Sequence, residues 1–209
     1  MPSPIDLAAW RREQRQALLT QRAAPDKETL ARWQLAMDKS LAHWFPRLIP
    51  DLQSAVIAIY WPHRNECDLR PLARSWRRAG AVIALPVVMA KAAPLAFRAW
   101  DEDTVMAAGP QGIAHPAEGP LLTPSVVFAP AVGFDLQGYR LGYGGGYFDR
   151  TLAALQANGR RPLAIATAHE LAKMDTLHPQ SHDLPMDYVL TESGLYRRDK
   201  NTLILMAGG

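Results

Sequence analysis

Apolar positions along the chain change period several times, and each change marks an element. Leu30, Trp33, Met37, Leu41 and Trp44 are spaced 3, 4, 4 and 3, one face of a helix. This predicts a helix beginning after Pro25 and stopped by the Pro46–Pro50 region. An earlier helix is predicted to run from SPID (3–6) to about Arg22. Ser3 is its candidate N-cap, Pro4 fits the first helical position, and Asp6 follows Ser3 by three. Arg11, Arg15 and Arg22 fall near one face of it, with Leu18 among them. The pattern then turns to compact apolar runs: SAVIAIYW (54–61), AVIALP (81–86), SVVFAP (125–130), PLAIAT (162–167) and MDYVLT (186–191). These read as buried strands, and LAFRAW (95–100) alternates as a strand with Leu95, Phe97 and Ala99 on one side. Between them, Leu69, Leu72, Trp76 and Ala79 outline a helix ending at Gly80. YFDRTLAALQANG (147–159) outlines another, closed by Asn158-Gly159.

Strand–helix alternation with continuously apolar strands implies an α/β fold whose sheet is covered on both faces. No repeat, low-complexity segment or convincing linker divides the chain. Residues 101–120 are the weakest region for regular structure, and the apolar run within NTLILMAGG (201–209) has no assigned place. The expected organisation is one domain over 1–200 with a C-terminal tail, 201–209.

The 209 residues are 48% hydrophobic and 21% charged, the composition of a globular protein with a real core. A net charge of +3 is too small for a dedicated nucleic-acid binder and suits an anionic small molecule. Lysine occurs only at 27, 39, 91, 173 and 200, so arginine, the residue of bidentate phosphate recognition, carries most of the basic charge. The single cysteine, Cys67, allows no intrachain disulfide. Early charges break any signal-peptide core, and no apolar stretch reaches membrane-spanning length. A cytoplasmic enzyme or binding protein, without nucleic-acid or membrane partners and acting as a monomer, is the expectation.

The candidate chemistry lies in LGYGGGYFDR (141–150), with glycine at 142 and 144–146. Glycines between a buried strand and a helix let backbone N–H groups approach an anion, and the helix start adds the positive end of its dipole. Arg140 and Arg150 flank this loop, and Asp149 is a candidate magnesium ligand. G-x-x-x-x-G-K-[ST] fails for want of a following lysine, and G-x-G-x-x-G fails because residue 147 is tyrosine. The bland alternative is a tight turn with aromatics packed at its flanks, and Asp149 as a first-turn carboxylate favoured by the dipole.

GYRLGYGGGYFDR (138–150) resembles the signature of the 5-formyltetrahydrofolate cyclo-ligase family. FAPAVGFDLQG (128–138), HDLPMDYVLTESG (182–194), GIAHP (112–116) and RREQR (11–15) resemble further family elements in the same order, so the likeness covers 7–195. It implies a single three-layer α/β/α domain with a mainly parallel central sheet. It also implies an ATP-dependent enzyme that turns 5-formyltetrahydrofolate into 5,10-methenyltetrahydrofolate, releasing ADP and phosphate: the formyl oxygen is phosphorylated, N10 attacks, and phosphate leaves. By position, Arg11 and Arg15 would contact ATP phosphates. Arg140, Leu141, Gly142, Tyr143, Gly144, Gly145, Gly146, Tyr147 and Phe148 would wrap the nucleotide. Trp61 and Glu66, with Tyr143, Gly145 and Tyr147, would meet the reduced folate, and Asp149 and Asp183 would hold Mg²⁺.

The sequence departs from the family pattern at Arg11 (usually lysine), at His115 (often glutamate), at Ala172 (where alignment expects glutamine), and at Ala96-Phe97 (often methionine nearby). These departures keep a second reading open, a non-catalytic or altered folate- and nucleotide-binding paralogue. RNA binding by the basic first helix is the weakest reading, because no aromatic–basic module accompanies it. His178 and His182 have metal-pair spacing, but Pro179 lies between them. Cys67 lacks a nucleophile's partner, and Trp10, Trp33, Trp44 and Trp76 suit core-facing helix positions.

Overall fold

The computed structural model describes residues 6–207. Ser3 and Pro4, the expected start of the first helix, lie outside them. Helix α1 (Leu7–Ala23) is capped instead by Asp6, whose carboxylate accepts from the Ala9 N–H at 3.1 Å. Asp26 caps α2 (Lys27–Leu48) in the same way, at 2.8 Å from the Thr29 nitrogen. This helix takes in Pro46 and ends at Leu48, within the Pro46–Pro50 region expected to stop it. A proline in the last turn removes one hydrogen bond, while burial of Leu41 and Phe45 holds that turn to the core.

Strand β1 (Val56–Ala58) is followed by α3 (Arg70–Arg78), β2 (Val82–Val87) and β3 (Ala96–Ala99). The 101–120 segment forms a hairpin of β4 (Met106–Ala108) and β5 (Ala114–Pro116), and β6 (Leu121–Leu122) follows it. Then come β7 (Val126–Pro130), β8 (Gly133–Asp135), β9 (Arg140–Leu141), α4 (Tyr147–Ala157) and β10 (Leu163–Thr167). The chain closes with β11 (Lys173–Met174), β12 (Tyr188–Thr191), β13 (Gly194–Asp199) and β14 (Thr202–Leu205).

The central sheet has nine strands in the order β14-β13-β12-β10-β7-β1-β2-β3-β6. Its middle, from β12 to β2, is parallel, and the margins are antiparallel. The unplaced apolar run of 201–209 supplies β14, the edge strand beside β13. One face of the sheet carries large side chains, Ile57, Ile83, Leu85, Phe128 and Ile165, and packs on α2 and α3. Here Trp76 stacks on Phe45 and Phe128, with ring centroids 4.2 and 5.6 Å away. The opposite face carries Ala58, Ala84, Ala129 and Ala166, small residues that let α4, through Leu152, and Phe134 of β8 approach closely. Helices and sheet thus form the expected mixed α/β architecture with a large, mostly parallel centre.

A second sheet, β11-β8-β9, went unread in the sequence. Fully buried Asp135 organises it by accepting from the backbone N–H groups of Gln137, Tyr139 and Leu177. Helix α1 lies on this sheet through Leu18, and the fit is tight: a Cβ on Gly133 would stand 2.6 Å from Leu18 Cδ1. The glycine loop therefore leaves the short β9 of this sheet, not a central strand. No helix among the described residues is long and apolar enough to cross a membrane.

Candidate functional site

The carboxyl ends of the central parallel strands open onto a cavity of about 320 Å³, the position where open α/β sheets bind ligands. It gathers every residue that the family resemblance assigned to the nucleotide, the folate or the magnesium ion. Arg11 and Arg15 come from α1, Trp61 and Glu66 from the segment after β1, Arg140–Asp149 from β9 through the start of α4, and Asp183 from the loop before β12. Also lining it are His63, the GIAHP residues Ile113 and His115, His182 of the His178–His182 pair, and Tyr60, which the sequence did not single out. Ile113 and His115 belong to the 101–120 hairpin, so that segment forms a wall of the cavity. Arg98 of β3 holds the hairpin by donating to the carbonyls of Pro116 and Ala117.

The glycine loop is built for backbone exposure. Gly144 and Gly146 have φ of 97° and 62°, a region costly for other residues. A Cβ on Gly145 would strike the Tyr147 ring at 2.7 Å. Gly146 is the N-cap of α4 and offers no side chain to its first turn. Among the described residues, the N–H groups of residues 144–148 have no hydrogen-bond acceptor. A run of such donors at a helix start is an anion-receptive surface. Arg150 donates to the Gly145 carbonyl at 2.6 Å, bracing the loop from outside.

Three arginines approach this surface in different states. Arg15 donates through Nε to the Gly142 carbonyl at 2.8 Å, and its terminal nitrogens make no other hydrogen bond among the described residues. Burial, then the neighbouring charges of Arg11 and Arg12, lower its pKa, so this cation lacks local compensation. Arg11 is largely engaged. It donates to both carboxylate oxygens of Asp183, at 2.6 and 3.3 Å, and to the carbonyls of Leu177 and His178. Arg140 forms a bidentate pair with Asp149 at 2.9 and 3.0 Å, while its buried Nε has no partner among the described residues.

Asp149 and Asp183 are the expected magnesium carboxylates. Asp149 accepts from Arg140 and the Leu184 N–H, and Asp183 from Arg11 and the Gln180 N–H. A carboxylate has about four lone-pair directions, so each keeps roughly one for a further partner. Burial raises the Asp183 pKa, but hydrogen bonds from Arg11 and Gln180 outweigh it and hold the carboxyl low. Among the described residues no group of three or more His, Cys, Asp and Glu gathers to hold a metal. Two hard oxygen donors beside an anion-receptive loop fit Mg²⁺, which commonly takes one or two carboxylates and completes its shell with waters and phosphates.

The opposite wall is aromatic with one carboxylate. Trp61 meets Trp100 edge-on at 6.3 Å, and the Arg70 guanidinium lies 4.4 Å from the Trp61 ring centroid. Glu66 accepts from the Tyr143 hydroxyl and from the His63 N–H at 2.9 Å. Burial pushes Glu66 upward, against the opposing effects of Tyr143, His63, Arg22 and His169. Tyr143, raised by burial and then by Glu66, stays a proton donor. Burial, then Arg64, lowers His63.

Other candidates fall away from the cavity. His178 packs edge-on against Trp10 at 5.0 Å, and no helix spans His178–His182. Cys67 is buried, and burial pushes its thiol up to about 12. Ala172 is buried under α1, outside the cavity.

Fold and cavity together define a small-molecule-binding α/β protein with an anion-receptive glycine loop facing an aromatic, carboxylate-bearing wall. The sequence matches the profile of the 5-formyltetrahydrofolate cyclo-ligase family over residues 7–192, and the chain belongs to that family. It is 29% identical over 153 residues to the 5-formyltetrahydrofolate cyclo-ligase of Escherichia coli (strain K12), covering 70% of this chain and 83% of that protein. The namesake from Mycolicibacterium smegmatis is 29% identical over 162 residues, covering 73% and 80%. The solved 5,10-methenyltetrahydrofolate synthetase of Aquifex aeolicus superposes with a TM-score of 0.72 at 27% identity, covering 94% of this chain and 97% of that one. The synthetase structure from Mycoplasma pneumoniae shares the fold, with a TM-score of 0.68 at 20% identity over 87% and 98%.

Proposed function

We propose that the protein converts 5-formyltetrahydrofolate to 5,10-methenyltetrahydrofolate using ATP, with release of ADP and phosphate. The observation that carries the ATP half is the pairing of the unpartnered N–H groups of 144–148 with the uncompensated Arg15. A polyphosphate would satisfy both at once. Arg140, fixed by Asp149, would hold charge at the start of the same loop.

The folate half rests on family membership and on the opposite wall. The Trp61 face and the Glu66 carboxylate offer a stacking surface and a two-donor acceptor for a pterin edge. Asp149 and Asp183 would hold Mg²⁺, which when bound neutralises phosphate charge during transfer. The chain's own work is positioning: α1 brings Arg15 to the phosphates, and the 62–66 segment brings Glu66 to the ring. Enclosure by the 101–120 hairpin limits water around the activated formyl group. The reading includes cytoplasmic action as a monomer, tested by cell fractionation and by sedimentation at assay concentration.

The decisive measurement mixes protein, 5-formyltetrahydrofolate, Mg²⁺ and ATP and follows methenyl absorbance. Product that forms only when all are present is expected. Retained ATP binding without product would overturn the catalytic reading.

A further inference from the structure

Arg22 is absent from the cavity lining, yet it touches much of what shapes it. It sits in the last turn of α1 and is 2% exposed. Its Nη1 donates to the Tyr143 hydroxyl at 3.2 Å and lies 3.7 Å from Glu66 Oε1, and its Nη2 donates to the Ala131 carbonyl. Its own carbonyl accepts from Asn65 Nδ2 at 3.3 Å. Arg64 and Asn65 are consecutive left-handed residues, with φ of 51° and 58°, an arrangement that surrounding structure must enforce. His169 adds to that enforcement, its Nε2 lying 2.9 Å from the Asn65 carbonyl.

We propose that Arg22 is a positioning residue for the reaction, acting from behind the cavity by fixing Glu66 and Tyr143 as one acceptor–donor pair that joins the folate wall to the glycine loop. The inference rests on the proposed folate reading for the role of Glu66, but the geometry stands without it. The Tyr143 hydroxyl donates a hydrogen bond to Glu66 Oε1, and the His63 N–H occupies Oε2 only in part, so Oε2 keeps a lone pair for a ligand. A buried carboxyl tends to protonate, and a protonated Glu66 would lose its capacity to accept two donors. Arg22 opposes that, and the other titratable groups near Glu66 are Tyr143, His169, Tyr60, Cys67 and His63, the last itself lowered by burial and by Arg64. Of these, only His169 can share the cationic role, and its ring addresses the Asn65 carbonyl and Glu192.

The test compares wild type, Arg22→Gln and Arg22→Lys. First, the side-chain carboxyl of Glu66 is titrated by ¹³C NMR of glutamate-labelled protein, with Glu66→Gln assigning the resonance. The midpoint should move upward in Arg22→Gln and stay near wild type in Arg22→Lys. Second, steady-state kinetics should show the KM for 5-formyltetrahydrofolate raised about tenfold in Arg22→Gln. The KM for ATP should change less than twofold, and the acid limb of the folate kcat/KM profile should shift to higher pH. Unmoved Glu66 titration, or equal effects on both KM values, would overturn the proposal. If Arg22→Gln does not fold, Arg22→Lys decides. It keeps the charge but loses the fork that holds both Tyr143 and Ala131, so its folate KM must still rise selectively, and an unchanged KM overturns the proposal. An inactive wild type would count against the proposed function alone, since the NMR titration reads Arg22 without turnover.

Discussion

Two carboxyls in one cavity are tuned in opposite directions, and the difference is measurable as stability. Glu66 is raised mainly by burial, so the stability linked to it is present at low pH and is lost as pH rises through its folded value. Asp183 is lowered, because its hydrogen bonds outweigh burial, so its contribution is present above the ordinary carboxylate range and is lost on acidification. Urea unfolding should show Glu66→Gln gaining on wild type as pH rises from about 4 to 7, and Asp183→Asn losing ground as pH rises from about 2 to 5. Parallel curves for either variant would contradict the assigned environment. Asp149→Asn is a different case, since Asp149 is bound to an arginine whose side chain is only 3% exposed. The variant should abolish turnover and also cost about 1–3 kcal/mol of stability, from the weakened pairing of Arg140. Full stability with lost turnover would mean the pair is not structurally important.

Helix α1 is the element on which the site depends most. Arg11, Arg15, Leu18 and Arg22 recur at spacings of 4, 3 and 4, so one face supplies an ion pair to the 177–183 loop, a free cation, a packing contact and a buried brace. Its seat is Gly133, where a Cβ would collide with Leu18 and come within 3.2 Å of the Ala172 carbonyl. Gly133→Ala should destabilise by about 1–3 kcal/mol and raise the KM for ATP more than that for folate, because Arg15 moves with the helix. Adding Leu18→Ala should recover part of both losses, and purely additive effects would argue against this contact.

At this scale the limits of the sequence are also physical. The glycine loop announced itself by composition, and α1 by its spacing. Strands β8, β9 and β11 are two or three residues long, too short for alternation to register, so the second sheet and the true origin of the loop stayed hidden. Strand β13 was hidden by its own Arg197 and Arg198. The Glu66–Tyr143 bond joins residues 77 apart, and no local pattern encodes it. The spacing placed Arg22 on the face of Arg11 and Arg15 but not its burial against Tyr143, Glu66 and the Ala131 carbonyl, because helix periodicity cannot tell a solvated arginine from a buried one.

For the molecule as a whole, the cavity links binding to global stability. ATP at one hundred times its Kd should add about 2.7 kcal/mol to the unfolding free energy of wild type. Arg15→Ala should lose most of that increment while unfolding almost normally without nucleotide, since its terminal nitrogens brace no other part of the fold. Thermal melts with and without ATP and Mg²⁺ would check this, and an undiminished shift would remove Arg15 from the anion site.

The Arg11–Asp183 ion pair spans 172 residues. During synthesis, at roughly 5–20 residues per second, the first helix waits on the order of ten to thirty seconds before its partner carboxylate is made. Throughout that interval the arginine-rich first helix has no closed cavity to complete, so a ligand of the cavity cannot help the nascent chain to fold. The glycine loop is translated before the cavity it faces can close, and closure waits until the 177–183 segment has left the ribosome and met the first helix.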